Sequence, residues 1–244
     1  MDTVGFIKPA EAPVAQLPLV GFIFVTSGEV LLDVDGTPFL CQPGQILLIP
    51  QQHPFAIRYY RSAIGYTGGF APSFLPDSKL LRYLSAPVHQ GFWFDEGAFM
   101  AELFNMLATS FEKGDNVFVE KGLDLLLSRI KPNHPASLPA VVCSFLESVF
   151  NPYRIPGTIA IYAEEAGISE NYLSRLVKQS TGRSVGAWID IVRIQRAKRL
   201  LSSTNLSIID IAASVGVEDQ SYFSRLFKKE TGITPSAFRK KMQG

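Results

Sequence analysis

The sequence predicts an α+β chain, with a small antiparallel β domain and two following helices ahead of an all-α domain. Three observations point there: short Val-, Ile- and Phe-rich runs broken by turn pairs fill residues 19–66, the apolar spacing changes to three and four after Asp95, and residues 136–244 are helical in pattern throughout.

At 244 residues and 47% apolar content the chain can bury two cores of ordinary size. Its net charge of +1 divides unevenly about a proline-rich joint at Pro135. Residues 1–135 hold 9 Lys and Arg against 13 Asp and Glu, and residues 136–244 hold 14 against 9. Domains are therefore expected at 1–132 and 136–244, with only the second, basic one meeting a polyanion such as nucleic acid. Cys41 and Cys143 lie far apart in apolar surroundings, so packing is expected of them, in a reducing compartment. The N-terminus lacks a basic segment followed by an apolar one, and the run Leu17 to Val25 contains Pro18 and is too short to span a bilayer. A cytoplasmic location with no membrane partner is expected.

In the first domain, turn signals stand at Ser27-Gly28, Asp35-Gly36, Pro43-Gly44 and His53-Pro54. Asp35-Gly36 between VLLDV and TPFLC predicts a two-residue hairpin, and QILLIP and FAIRYY supply two more strands of a small sheet or barrel. Beyond Asp95, Phe99, Leu103, Met106 and Ser110 share one helical face, as do Val119, Leu123, Leu126 and Ile130 after a break at Lys113-Gly114. Such stripes pack onto their own domain or form the seam of a homodimer, the former being the commoner use.

Seven helices are expected in the second domain, near 138–150, 158–166, 169–180, 185–201, 207–215, 219–230 and 235–242. They contain a repeat. TIAIYAEEAG at 158–167 matches SIIDIAASVG at 207–216, and YLSRLVKQSTG at 172–182 matches YFSRLFKKETG at 222–232, which suits a duplicated module better than a solenoid. In each copy a short helix ends at Gly167 or Gly216 and a second begins within a few residues, the spacing of a helix-turn-helix. Ser169 and Asp219 are expected to cap the second helices.

Leu173, Leu176 and Val177, or Phe223, Leu226 and Phe227, form the inward stripe of those helices. The outward face carries Asn171, Ser174, Arg175 and Lys178 in one copy and Ser221, Ser224, Arg225 and Lys228 in the other. Arg can bind a guanine edge at two points, Asn an adenine edge and Ser either, while Lys at the far end suits a phosphate. A solvated polar face is the plain alternative, but the same face appearing twice, with turns and caps in register, favours double-stranded DNA. Thr181-Gly182-Arg183-Ser184 and Thr231-Gly232-Ile233-Thr234 then place a hydroxyl before the next helix, for capping or for a backbone phosphate. The long helix from Val185, with Arg193, Ala197, Leu200 and Leu201, is expected to join both units as one rod. Two units on one rod can read half-elements about 10 bp apart, bending the duplex if the rod spaces them short.

The stretch IIDIAASVGVEDQSYFSRLFKKETGITPSAFRK, with RIQRAKRLL before it, resembles the AraC/XylS family of bacterial transcription regulators over residues 136–244. The resemblance implies base contacts at Asn171, Ser174 and Arg175 and at Gln220, Ser221 and Arg225, and RNA polymerase as a partner if the protein activates. Tyr162 and the pair Glu164-Glu165 depart from the family's pattern in the first unit. Family members often carry a cupin-like β domain ahead of this part, and GEVLLDVDGTPFLCQPGQILLIPQQHPFAI resembles one. Cupin enzymes hold a metal with closely spaced His and Glu ligands, whereas His53, His89 and His134 follow no such spacing. No metal, cofactor or enzymatic activity is therefore expected. Sensor domains of the family bind small effectors, and Phe24, Thr26, His53, Phe55, Arg58 and Tyr60 are candidates to line such a pocket, with plain core and surface roles competing. The alternatives are a regulator controlled by a protein partner and a cupin-type enzyme, the second weakened by the missing ligands.

Overall fold

The computed structural model describes residues 2–4, 15–16, 19–71, 91–93, 97–129, 131–132 and 138–243. They divide into two compact units, Met1–Leu138 and Pro139–Gly244. The Pro135 joint lies outside the described residues.

The first unit is an antiparallel sheet with a helical pair. Its strands are β1 (Asp2–Val4), β2 (Ala15–Gln16), β3 (Val20–Val34), β4 (Thr37–Cys41), β5 (Gln45–Ile49), β6 (Pro54–Phe70), β7 (Gly91–Trp93) and β8 (Lys131–Pro132), in the order β1-β6-β3-β5-β7-β8. β2 adds to β6 and β4 to β3. Val34 pairs with Thr37, closing the Asp35-Gly36 hairpin expected from the sequence.

Ser27-Gly28, read from the sequence as a turn, is a bulge inside the continuous strand β3. The burial pattern requires it. Ile23 and Val25 share one core with Val30, Leu32 and Val34, although the two sets differ by an odd number of residues. One extra residue restores the facing, and register shifts fall on either side of Ser27. Gly28 sits at φ 71°, where an added Cβ would lie 2.3 Å from the carbonyl oxygens of Arg61 and Ser62.

The sheet thus buries two faces. One holds Ile23, Val25, Leu32, Phe39, Cys41 and Ile49, and the burial that packs Cys41 pushes its thiol up to about 12. The other meets α1 (Gly97–Glu112) and α2 (Asn116–Ser128), where Phe104 stacks 4.6 Å from Phe24 and 5.3 Å from Tyr66. This stack corrects the sequence-based facing of α1. Met100, Leu103, Phe104, Leu107 and Ala108 are buried, while Phe99 and Met106 are each 54% exposed. The helix is apolar around most of its circumference, so spacing alone left its rotation open by one residue. In α2, Val119, Leu123 and Leu126 pack as expected, Asp115 caps by accepting from the Phe118 N–H at 3.1 Å, and Ile130 lies outside the described residues.

The second unit is helical: α3 (Ala140–Phe150), α4 (Ile159–Glu165), α5 (Glu170–Thr181), α6 (Val185–Ser203), α7 (Ile208–Ser214), α8 (Gln220–Thr231) and α9 (Pro235–Gln243). Each begins and ends within about two residues of its expected place, as capping signals allow. Ile194, Ala197 and Leu201 of α6 pack into one core with Ile211 and Ala212 of α7 and Phe223 and Phe227 of α8. Among the described residues no helix is long and apolar enough to cross a membrane.

Candidate nucleic-acid interface

The second helix of each helix-turn-helix unit is fixed first at its ends. Ser169 accepts from the Tyr172 N–H at 3.3 Å to start α5, and the Asp219 carboxylate accepts from the Ser221 and Tyr222 N–H groups at 2.7 and 3.0 Å to start α8. Those two backbone donors hold the Asp219 carboxyl below the usual carboxylate range. Both helices end at a left-handed glycine, Gly182 or Gly232.

Their inner faces then set the rotation. Leu173 and Val177 are buried and Leu176 is half-buried in α5, and Phe223, Leu226 and Phe227 are buried in α8, where Phe227 meets Phe238 edge-on at 5.5 Å. The helical period leaves Asn171, Arg175 and Lys178 exposed on the opposite face of α5, with Ser174 half-buried beside them. On α8 the same places are taken by Ser221, Ser224, Arg225 and Lys228, with the same burial pattern, and Gln220 is exposed in the first turn. The polar residues singled out in the sequence therefore share one face of each helix.

Two further residues belong to these surfaces. Tyr172 and Tyr222 are each 43% exposed at matching places, and the Arg175 guanidinium lies over the Tyr172 ring, 5.3 Å from its centroid. Their identity across the repeat was the available signal. Ser184 and Thr234 act as caps, accepting from the Ala187 and Ala237 N–H groups at 3.2 and 3.3 Å. Thr181 is buried, accepting from the Trp188 indole N–H at 2.9 Å.

The departures in the first unit have a structural reason. Glu165 meets Arg154 at 2.5 Å and accepts from the Ser148 hydroxyl at 3.3 Å, while Arg154 also lies over Tyr162, 5.2 Å from its centroid. The Tyr162 hydroxyl in turn accepts from the Gly157 N–H at 3.1 Å. Tyr162 and Glu165 thus close the loop between α3 and α4 onto α4. Arg154 holds the Glu165 carboxyl below the usual range, by hydrogen bonding first and charge second.

In the first unit the aromatic candidates for a pocket lie on two different faces of the sheet. Phe24 belongs to the helix-side core, and Phe55 and Tyr60 pack against the opposite one, sharing that face although five residues apart because the register of β6 shifts between Ile57 and Tyr59. Arg58 donates twice to Asp33, at 2.8 and 3.1 Å, His53 contacts the Asp35 carboxylate, and Thr26 donates to the Ile64 carbonyl at 3.0 Å. The Arg58 charge is thereby matched within the sheet. Among the described residues no group of three or more His, Cys, Asp or Glu could hold a metal ion, and His89 and His134 lie outside them.

Residues 162–241 match a family model described as a helix-turn-helix domain. The chain is 31% identical over 236 residues to the arabinose operon regulatory protein of Salmonella typhimurium, covering 87% of this chain and 80% of that protein. It belongs to the AraC/XylS family of transcriptional regulators. The arabinose operon regulatory protein of Escherichia coli is 29% identical over 236 residues, covering 87% of this chain and 77% of that one. Among solved structures, the C-terminal domain of AraT, a response regulator from Geobacillus stearothermophilus, is 34% identical, covering 43% of this chain and 87% of that one, with a TM-score of 0.40. As an AraC/XylS regulator the chain is a DNA-binding transcription factor, and double-stranded DNA is its partner. The matched span runs from within α4 to α9 and so takes in both helix-turn-helix units.

Proposed function

We propose that α5 and α8 enter successive major grooves and read bases with Asn171, Ser174 and Arg175 and with Gln220, Ser221 and Arg225, while Lys178 and Lys228 contact phosphates and Ser224 lies against the groove wall. The observation that carries this is the recurrence of one exposed polar face on two capped helices of a basic region. Methylation of guanine N7 tests it. Interference in two clusters about 10 bp apart is the expected result, and a single cluster would remove one unit from base reading.

The first unit controls this reading, by binding a small effector or by pairing with a second copy of the chain. Support comes from the match to the arabinose operon regulators, which spans both units, and from Phe99, Met106, Val117 and Leu125, exposed on α1 and α2 away from their own core. Arabinose is the first effector probe, by calorimetry, and sedimentation of the intact chain reads the pairing. The protein acts in the cytoplasm by binding rather than by catalysis, and an activator would also contact RNA polymerase.

A further inference from the structure

The turn glycines of the two helix-turn-helix units occupy unlike surroundings. Gly167 sits at φ 63°, and a Cβ added there would meet nothing within 4 Å. Gly216, its counterpart, sits at φ 78°, and a Cβ added there would lie 2.7 Å from the Pro156 carbonyl oxygen and 3.1 Å from Ile155. The loop that leads into the first unit is therefore seated on the turn of the second. Arg193, midway along α6, joins the same place. Its Nη2 donates to the Gly216 carbonyl at 3.1 Å and to the Gly157 carbonyl at 3.4 Å, and its Nη1 lies 3.5 Å from the Asp190 carboxylate. The side chain is only 15% exposed.

We infer that Arg193 is a positioning residue that fixes the spacing and relative rotation of the two DNA-reading units, by clamping the Ile155–Gly157 loop to the Gly216 turn. α6 is held in the second helix-turn-helix unit by the packing of Ile194, Ala197 and Leu201 in its core, and the Ile155–Gly157 loop belongs to the first. The clamp adds a direct attachment between the two units beside the helix. A stiff link gives the second binding event a high effective concentration at one geometry and little at others, whereas a soft link spreads it. The inference rests on the two-groove reading above and names the contact that makes its spacing sharp.

The test uses the intact chain and duplexes whose two half-elements are moved apart in single base-pair steps around 10 bp. Wild type should show one sharp optimum. Arg193→Met should lose about tenfold in affinity at that optimum and accept neighbouring spacings more evenly, as expected for losing hydrogen bonds from a charged donor. Duplexes carrying one half-element should bind both proteins equally. Arg193→Lys, which keeps the charge but not the forked donor, carries the comparison if the Met variant fails to fold. Gly216→Ala should broaden the profile in the same way, and Gly167→Ala, strained by a similar φ in open space, should keep the wild-type optimum. An unchanged profile in folded Arg193 variants would overturn the inference. So would an equal loss on single half-elements, which would assign Arg193 to the folding of one unit. A flat profile in wild type would instead remove the two-groove reading, and the inference with it.

Discussion

The guanidinium of Arg175 stands 5.3 Å from the centroid of the Tyr172 ring, three residues earlier on the same exposed helix face. An aromatic face attracts a cation and restricts its rotamers, so this Arg is held before DNA arrives, at modest energetic value for an exposed pair. Arg225 occupies the corresponding place on α8. Each Arg should therefore govern one base position in its own half-element. Arg225→Ala should cost about 1 to 3 kcal/mol and relax preference at that position, read by competition with duplexes substituted one base pair at a time. An equal loss on every sequence would mean a phosphate contact instead.

Lys228 lies one turn further along α8, exposed and near the helix end. Lys228→Ala should weaken binding to all sequences alike and lower the slope of log affinity against log salt by about one unit. Titrations at several salt concentrations measure this, and an unchanged slope would place Lys228 off the backbone.

The pair Arg154–Glu165 should make stability depend on acid. Its carboxyl is held below the usual range, so the pair's contribution is complete above the ordinary carboxylate value near 4 and is lost as pH falls through the lower folded value. Thermal unfolding of wild type and Glu165→Gln should differ at neutral pH and converge in acid. A gap that stays constant with pH would assign the effect to packing.

Phe104 and Phe99 test the rotation of α1. Phe104 is fully buried between Phe24 and Tyr66, so Phe104→Ala should cost about 3 to 5 kcal/mol in chemical unfolding. Phe99→Ala should change stability by no more than about 0.5 kcal/mol. Comparable losses at both positions would restore the facing that spacing alone suggested.

What could be read from the sequence follows physical lines. The helices of the second unit were legible because their ends are written locally, by Ser169, Asp219, Gly182 and Gly232, and because the repeat presents the outward face twice. The rotation of α1 was not, since Phe99 and Phe104 are both apolar and only the partner ring of Phe24 decides between them. Ser27-Gly28 gives one signal for a turn and a bulge alike, and the pairing of Ser27 with Ile64, 37 residues away in the chain, settles it. Phe24 and Phe55 looked like neighbours in a pocket because strand composition does not reveal which face a bulge selects. The bonds of Arg193 to Gly157 and Gly216 join residues 36 and 23 positions away, beyond any local pattern.

Selection from random duplex DNA with the intact chain tests the central claim most directly. Enrichment of a two-part motif with centres about 10 bp apart is the expected result. Enrichment of a single undivided motif, or of none, would contradict the claim that two helix-turn-helix units read successive major grooves.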